Sequence, residues 1–349
     1  MHRPAGIAAG SACAQRATAA KEDTSMIGTA KAAKGQITRG HVELGSYPDG
    51  PVLSPVLIAE GERDGPTLWL QACLHGPEVV GPLSIQRFLK TVDLKQLSGR
   101  VVCLMLANPL GFRGYNRLTP QDGYNLNRVF PGDPQGHLTY QLAHRLLDLS
   151  LAHSDAMLDL HSGGDLTITC HYTLFHNNGT PEGIESERLG RACGAPNVWN
   201  SLEEGLSGCH FTHYTKSGGK PALIVESGGG ARVTPEDLDN LTAAIFNVCQ
   251  ARGMLPGEPM VPARFRLGGD AIHHKATHGG LFIPKVGPGD DVVKGQHLAD
   301  IVDLFGDVVE AVHCPVEKAW VGSIRRPYMP IYNGDQVFEL VGTKGYDPA

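Results

Sequence analysis

The sequence predicts an α/β fold: a mixed sheet flanked by helices, followed by a smaller all-β domain. From about residue 40 to residue 255, short apolar runs typical of strands alternate with segments whose apolar residues recur at helical spacing. After Pro262 the sequence has no helical pattern, and short β-like runs are punctuated by glycine. This change predicts two domains, at 39–258 and 262–345.

Length and composition indicate a globular protein, and its charge indicates a small-molecule partner. The 349 residues are 41% hydrophobic and 19% charged, which allows a sizeable core. The formal net charge of −6, without a basic run, gives no electrostatic reason to expect a nucleic acid or a membrane as partner. A small molecule is the expected partner, and a homo-oligomer is left open.

Residues 1–38 are predicted to be a disordered leader, because they are small and polar. They lack the apolar segment of a secretory signal, and the chain has no run of about 20 apolar residues to cross a bilayer. A true start at Met26 is the alternative to a leader. The eight cysteines are scattered without a C-x-x-C pair, which indicates reduced thiols and a cytoplasmic protein.

The α/β region alternates apolar strands with four predicted helices. Its strands are the runs PVLSPVLIAE, PTLWLQAC, VVCLMLAN, AMLDL, TITCHYTLF and PALIVES. Its helices are predicted at 79–90, 137–152, 183–193 and 235–252, with a Gly/Asn/Pro-rich loop at 108–136. The β-rich region is predicted from GGLFIPK, QHLADIVD, DVVEAV, KAWVGSI and QVFELV.

Two motifs at strand ends predict a metal site. In QACLHGPEVVGP an apolar strand runs into a turn with His75 and Glu78, and in AMLDLHSGG a strand delivers His161, with Asp159 on the same face. Open α/β sheets bind ligands at the carboxyl ends of their strands, and catalytic zinc takes three protein ligands plus water. One Zn²⁺ per chain is therefore expected on His75, Glu78 and His161. The H-x-x-E spacing alone is a weak signal among 16 histidines.

Glu226 ends a third apolar strand, in PALIVESGGG. Because that strand should be buried, a solvated surface charge explains this glutamate poorly. A buried glutamate bonded to backbone amides is the structural alternative. We expect instead a general base that deprotonates zinc-bound water and then protonates the leaving nitrogen.

The long loop offers groups for binding a carboxylate. It carries Arg117, Asn127 and Arg128 among glycines and asparagines. A guanidinium binds a carboxylate bidentately, an Asn amide adds a hydrogen bond, and another arginine near zinc would hold an oxyanion. The alternative is that these arginines hold the loop together through its carbonyls.

The order HGPE, NR-x(9)-NR-x-FPG, DLHSGG and VESGG resembles the succinylglutamate desuccinylase/aspartoacylase family of zinc hydrolases over roughly residues 40–345. GYNLNRVFPG with DLHSGG is most similar to the bacterial branch that includes N-acetyl-diaminobutyrate deacetylases. The resemblance implies a carboxypeptidase-like domain, zinc on the three residues above and a catalytic Glu226. It also implies that Asn127 and Arg128 hold a substrate carboxylate while Arg117 polarises the scissile carbonyl. The predicted reaction is hydrolysis of the amide bond of a small N-acyl amino acid.

The sequence departs from the family in its first motif. Pro77 stands where many relatives have Asp or Asn, which alters the turn but removes no ligand. In aspartoacylase a tyrosine of the C-terminal domain helps to hold substrate, and Tyr328 in SIRRPYMP is the candidate here.

Two other functions stay open. A metallocarboxypeptidase acting on small peptides would use the same groups. A carrier domain is the non-enzyme alternative, since VGPGDDVVKGQHLADIVDLFG and HCPVEKAWVG, which contains Lys318, loosely resemble a biotinyl/lipoyl barrel. Barrel-like packing without a carrier lysine is preferred, because the Met-Lys-Met or Asp-Lys-Ala setting of such carriers is absent.

For His273, His274 and His278 an exposed polar loop is preferred to a second metal site. His210 and His213 are predicted on a loop that leads toward Glu226, where they either line the pocket or are ordinary loop residues.

Overall fold

The computed structural model describes residues 25–202 and 204–349. The α-helices found in these residues are α1 (Val80–Thr91), α2 (Pro109–Arg113), α3 (Leu138–His153), α4 (Pro181–Ala192), α5 (His210–Lys216) and α6 (Pro235–Ala251). The strands are β1 (Met26–Ile27), β2 (Ala30–Lys31), β3 (Gln36–Tyr47), β4 (Gly50–Glu60), β5 (Arg63–Ala72), β6 (Ser98–Leu104), β7 (Ala156–His161), β8 (Thr167–Phe175), β9 (Asn197–Asn200), β10 (Ala222–Gly229), β11 (Arg264–Lys275), β12 (Gly280–Pro284), β13 (Asp291–Val293), β14 (His297–Val302), β15 (Val308–His313), β16 (Lys318–Arg325), β17 (Pro330–Ile331) and β18 (Gln336–Pro348).

The helices α1, α3, α4 and α6 confirm the four predicted helices. Local chemistry explains where two of them start: the Thr180 and Thr234 side chains accept backbone N–H groups, and proline follows each threonine. The prediction of a loop at His210 and His213 is wrong, because both lie in α5. The predicted loop at 108–136 also contains the short helix α2.

One mixed sheet of twelve strands forms the framework. Its order is β13-β16-β18-β11-β9-β8-β10-β7-β5-β6-β4-β3. At its centre β6, β5, β7 and β10 are mutually parallel, and β8 is antiparallel to β10. Most of their residues are buried, above all in β7 and β10, as expected for strands covered on both faces. This agrees with the predicted mixed α/β fold; the carboxypeptidase-like form stays a prediction.

The C-terminal strands join this framework by hydrogen bonds. Residues 264–348 contain strands and no helix, and the smaller all-β domain stays a prediction. Four of these strands form a separate sheet, β15-β14-β12-β17, whereas β11 pairs with β9 and β16 pairs with β8. The strands β8, β9, β11, β18 and β16 therefore form a closed circuit of pairings. The domain boundaries at 39–258 and 262–345 stay a prediction.

The prediction of a disordered leader is wrong for residues 25–38. This segment forms β1, β2 and the start of β3, and the side chains of Ile27 and Ala30 are fully buried in the main core. Burial of apolar side chains here outweighs the polar composition. Residues 1–24 of the predicted leader lie outside the described residues.

Two further observations concern the cysteines and the helices. The seven cysteines among the described residues are all free, as predicted for reduced thiols. Of the helices in residues 25–202 and 204–349, none is long and apolar enough to cross a membrane.

Candidate metal centre and substrate cavity

The first site motif lies in the turn between β5 and α1. The helix packs directly on the sheet because Gly81 has no side chain: a Cβ there would lie 2.7 Å from Cβ of Ala72 and 3.2 Å from that of Leu160. A backbone hydrogen bond from Glu78 to His75 closes the turn. His75 and Glu78 are 3% and 1% exposed, so the turn presents both inside the molecule.

The structure brings the three predicted ligands together. The ligand atoms of His75, Glu78 and His161 all lie within 4.8 Å of one another. Nδ1 of His75 is 2.8 Å from Glu78 Oε1, and Nδ1 of His161 is 2.8 Å from Glu78 Oε2. Two imidazoles and one carboxylate are a donor set that suits zinc.

In each histidine, the ring nitrogen that does not face Glu78 lies close to another oxygen atom. Nε2 of His75 lies 3.1 Å from Oδ1 of Asn125, and Nε2 of His161 lies 3.1 Å from Oδ2 of Asp159. Metal-bound histidines usually meet an oxygen through the nitrogen that does not bind the metal, because this fixes the tautomer and the ring orientation. The residues therefore fit a metal ion held through both Nδ1 atoms. Asp159 was predicted to assist from its place on β7; Asn125 was missed.

The three side chains shift one another's pKa values. Burial disfavours a charged Glu78, but His75 and His161 outweigh it and hold its pKa below the ordinary value. Burial likewise favours a neutral His161, yet Asp159 and Glu78 raise its pKa well above the usual range. Burial, and then the Arg117 charge, lowers the pKa of His75 to about 4.

Glu226 lies beside His161 across the central strands. The two residues are register partners in the parallel pair of β10 and β7. Oε2 of Glu226 is buried without a hydrogen-bond partner in the described residues, which disfavours the alternative of a carboxylate fully bonded to backbone amides. Burial raises the pKa of Glu226 to about 8; the Glu78 and Glu339 charges add to this rise and His161 opposes it.

The glycine turns after His161 and Glu226 interlock. The Gly163 N–H donates to the Gly228 carbonyl, and the Gly230 N–H donates to the Thr167 carbonyl. Gly229 has φ +117°, and a Cβ there would lie 2.7 Å from Cα of Gly163. Only glycine permits this contact, so the two turns fix the ends of β7 and β10 relative to each other.

Arg117, Asn127 and Arg128, which were predicted to contact substrate, line the same region. Nη1 of Arg117 donates to Glu78 Oε1 at 3.1 Å. Oδ1 of Asn127 accepts the backbone N–H of His210 at 3.0 Å, which orients the amide. Arg128 donates to the Asn127 carbonyl at 2.7 Å, as expected if it holds the loop, yet it also lines the cavity.

His210 supports the Asn127 loop from inside. Gln71 Nε2 donates to its Nδ1 at 2.9 Å, so its Nε2–H donates to Ser150 Oγ at 3.1 Å. Its ring stacks on Phe130 with centroids 4.4 Å apart. These contacts make His210 a structural residue of the core, with a pKa that burial lowers to about 4.

Two adjoining cavities of about 270 and 300 Å³ lie at the predicted metal ligands. Glu78 lines the first, His161 lines the second, and His75 lines both. Three residues from unpredicted positions line both of them: Tyr172 of β8, His273 of β11 and Glu339 of β18. His273 was expected in an exposed polar loop; it is half-exposed on a strand and faces the cavity. No motif marked Tyr172 or Glu339, and none placed His273 at the cavity, because all three reach it through pairings between distant strands.

Tyr328 is not brought to the site. It is 73% exposed in the turn before β17, and it is absent from the walls of both cavities. The prediction that Tyr328 binds substrate is therefore not supported by its position. The turn holds it outside, since its N–H donates to the Phe282 carbonyl.

Comparison with known proteins agrees with this geometry. Residues 64–252 match the model of the succinylglutamate desuccinylase/aspartoacylase catalytic domain. The chain belongs to this family. A relative within it is an N-alpha-acetyl-L-2,4-diaminobutyric acid deacetylase from Halomonas elongata, which is 30% identical over 296 residues, 82% of this chain and 85% of the relative.

Solved structures of family members have the same fold. The product-bound ectoine utilization protein EutE (DoeB) from Ruegeria pomeroyi has a TM-score of 0.78 and 26% identity, covering 88% of this chain and 95% of that one. A succinylglutamate desuccinylase from Silicibacter sp. TM1040 also has a TM-score of 0.78, at 24% identity over 90% of this chain and 98% of that one.

Proposed function

We propose that this protein is a zinc-dependent amidohydrolase that removes the acyl group from a small N-acyl amino acid. The observation that carries the proposal is the meeting of His75, Glu78 and His161, with Glu226 beside them in the walls of two adjoining cavities. The deacetylase activity named for the relative from Halomonas elongata supports the substrate class. The free thiols support the cytoplasm as its compartment.

His75, Glu78 and His161 would hold the zinc ion, with Asn125 and Asp159 orienting the two rings. When bound, zinc supplies a Lewis acid that makes water more acidic and polarises a carbonyl oxygen. The chain itself must then manage the proton and the substrate.

Glu226 is the group proposed to carry the proton. It takes a proton from the water as the oxygen adds to the acyl carbon, and it returns this proton to the amide nitrogen as the C–N bond breaks. The products are a carboxylate and a free amine. Its location beside His161, with a buried unpartnered oxygen, supports this role.

The loop residues are proposed to position the substrate. Arg128 and the NH₂ group of Asn127 would bind the substrate carboxylate, because the Asn127 oxygen is already held by the backbone of His210. Arg117 would stabilise charge on the acyl oxygen. The size of the cavities favours a small substrate over the long peptides of a carboxypeptidase.

Metal analysis together with an acylase assay tests this proposal. We expect about one zinc per chain, and turnover of acetylated amino acids but not of dipeptides. His75→Ala should lose both zinc and activity, whereas His144→Ala, on α3 outside both cavities, should keep both. Zinc that persists in His75→Ala, or turnover of dipeptides alone, would contradict the proposal.

A further inference from the structure

We infer that His171 is a positioning residue: it fixes the backbone of Glu226 and thereby aims the Glu226 carboxylate at the reacting groups. This inference rests on the proposed function, in which Glu226 carries the proton. His171 lies on β8, the strand that pairs with the strand of Glu226, and no sequence motif marks it.

His171 faces away from the substrate. It lines another cavity, of about 340 Å³, and none of the residues around that cavity lines either of the two cavities at the metal ligands. Its neighbour Tyr172 lines both of those cavities, as expected because successive side chains of a strand point to opposite faces. His171 can therefore act on the reaction only through another residue.

The pairing of β8 with β10 is irregular directly after Glu226. The register shifts there by one additional residue on β8, so that Ser227 stands opposite both Cys170 and His171. This arrangement is a β-bulge, a feature that recurs next to active sites because it re-aims a side chain. A bulge also disrupts the ladder of backbone hydrogen bonds, so the peptide group that follows Glu226 has to be fixed in another way.

The His171 imidazole fixes this peptide group. Its Nδ1 lies 3.1 Å from the carbonyl oxygen of Glu226. Because a carbonyl oxygen only accepts, Nδ1 carries the proton and donates it to this bond. Burial lowers the pKa of His171, which favours the neutral ring. The strand position of His171 is itself held, since Nδ2 of Asn197 donates to the His171 carbonyl at 2.9 Å.

Helix α6 holds the next residue, Ser227. Nδ2 of Asn240 donates to the Ser227 hydroxyl at 3.2 Å, and this hydroxyl donates to Oδ1 of Asp237 at 3.4 Å. With Ser227 held by α6, the bond from His171 sets the orientation of the peptide group between Glu226 and Ser227. Loss of that bond should let the peptide group rotate and displace the Glu226 side chain. A displacement of about 1 Å can cost on the order of 100-fold in rate.

Two substitutions at His171 test the role of the hydrogen bond. His171→Leu removes the donor, and we expect kcat on an acetylated amino acid to fall by about 10- to 100-fold, with KM changed less than about 3-fold and zinc content unchanged. In His171→Asn the amide nitrogen takes the place of Nδ1, so kcat should return to within about 3-fold of wild type. Wild-type kcat in His171→Leu, or equal losses in the two variants, would overturn the inference.

His176 provides a matched control directly after β8. It is buried, its Nδ1 lies 3.2 Å from the Ser201 carbonyl oxygen, and it lines neither substrate cavity. His176→Leu therefore removes a bond of the same kind and should lower the free energy of unfolding without lowering kcat. A loss of kcat equal to that of His171→Leu would assign the effect to destabilisation and overturn the inference.

Combination with Glu226→Gln tests the route of the effect. If His171 acts through the Glu226 carboxylate, His171→Leu should lower the residual kcat of Glu226→Gln by less than about 2-fold, because no proton carrier remains to be aimed. An undiminished loss in that background would overturn the inference and leave the proposed function intact. Wild-type kcat in Glu226→Gln alone would overturn the proposed role of Glu226, and the inference with it.

Discussion

Glu78 and Glu226 are carboxylates of the same cavity with opposite surroundings. Both oxygens of Glu78 face an imidazole at 2.8 Å, whereas Oε2 of Glu226 is buried with no partner in the described residues. Their pKa values move apart accordingly, downward for Glu78 and upward for Glu226. The carboxylate that has cationic partners suits a ligand, and the one that lacks them suits a proton carrier.

Removing the charge of Glu78 should have the largest effect. Glu78→Gln should lose its zinc and lower kcat/KM on the order of 10⁴-fold, because the only anionic ligand of the proposed set is gone. Metal analysis and steady-state kinetics on an acetylated amino acid measure both. A Glu78→Gln variant that keeps stoichiometric zinc and normal turnover would contradict the assignment of Glu78 as a metal ligand.

The same substitution at Glu226 should separate activity from metal binding. Glu226→Gln should lower kcat by about 10³-fold, the usual scale for a lost general base, while the zinc content stays at the wild-type level. Loss of zinc together with activity would instead assign Glu226 to the metal. The two variants should be purified and assayed side by side under the same conditions.

His210 tests whether hydrogen bonds to neutral groups can keep a buried side chain charged, as charged partners do. Both ring nitrogens are bonded, but burial still lowers its pKa to about 4. Since the unfolded chain binds a proton near pH 6.5, stability should fall as the pH drops from about 6.5 to 4, by on the order of 3 kcal/mol.

Chemical denaturation between pH 7 and pH 4 measures this effect. His210→Gln should show a smaller fall in the free energy of unfolding than wild type over this range, because its side chain does not titrate. Above pH 7 the group contributes no slope. Identical slopes in the two proteins would show that His210 is not held neutral by the fold.

The sequence allowed the metal centre to be predicted because its residues sit at the ends of neighbouring strands. The strands β5, β7 and β10 are parallel neighbours, so His75, His161 and Glu226 necessarily meet at one edge of the sheet. Each strand is a clear apolar run, and each functional residue follows within a few positions. The residues marked by the local sequence pattern are therefore the same residues that meet in the folded protein.

The opposite wall could not be predicted in this way. Tyr172 and Glu339 are 167 residues apart, and they meet only because β16 and β11 attach the C-terminal strands to β8 and β9. A shift of one residue in that register would turn Glu339 away from the cavity, and no local pattern sets the register. Helix α5 was missed because its aromatic and threonine residues are weak helix formers.

The interlocked glycine turns have a consequence for motion. Since the turns after β7 and β10 bond to each other, His161 and Glu226 should move as one rigid body. Any change in the shape of the cavity must then come from the loop that carries Arg117 and Arg128, which lies largely on the surface. In hydrogen exchange, the Gly163 and Gly230 amides should be among the slowest of the loop amides, and those around Arg117 among the fastest.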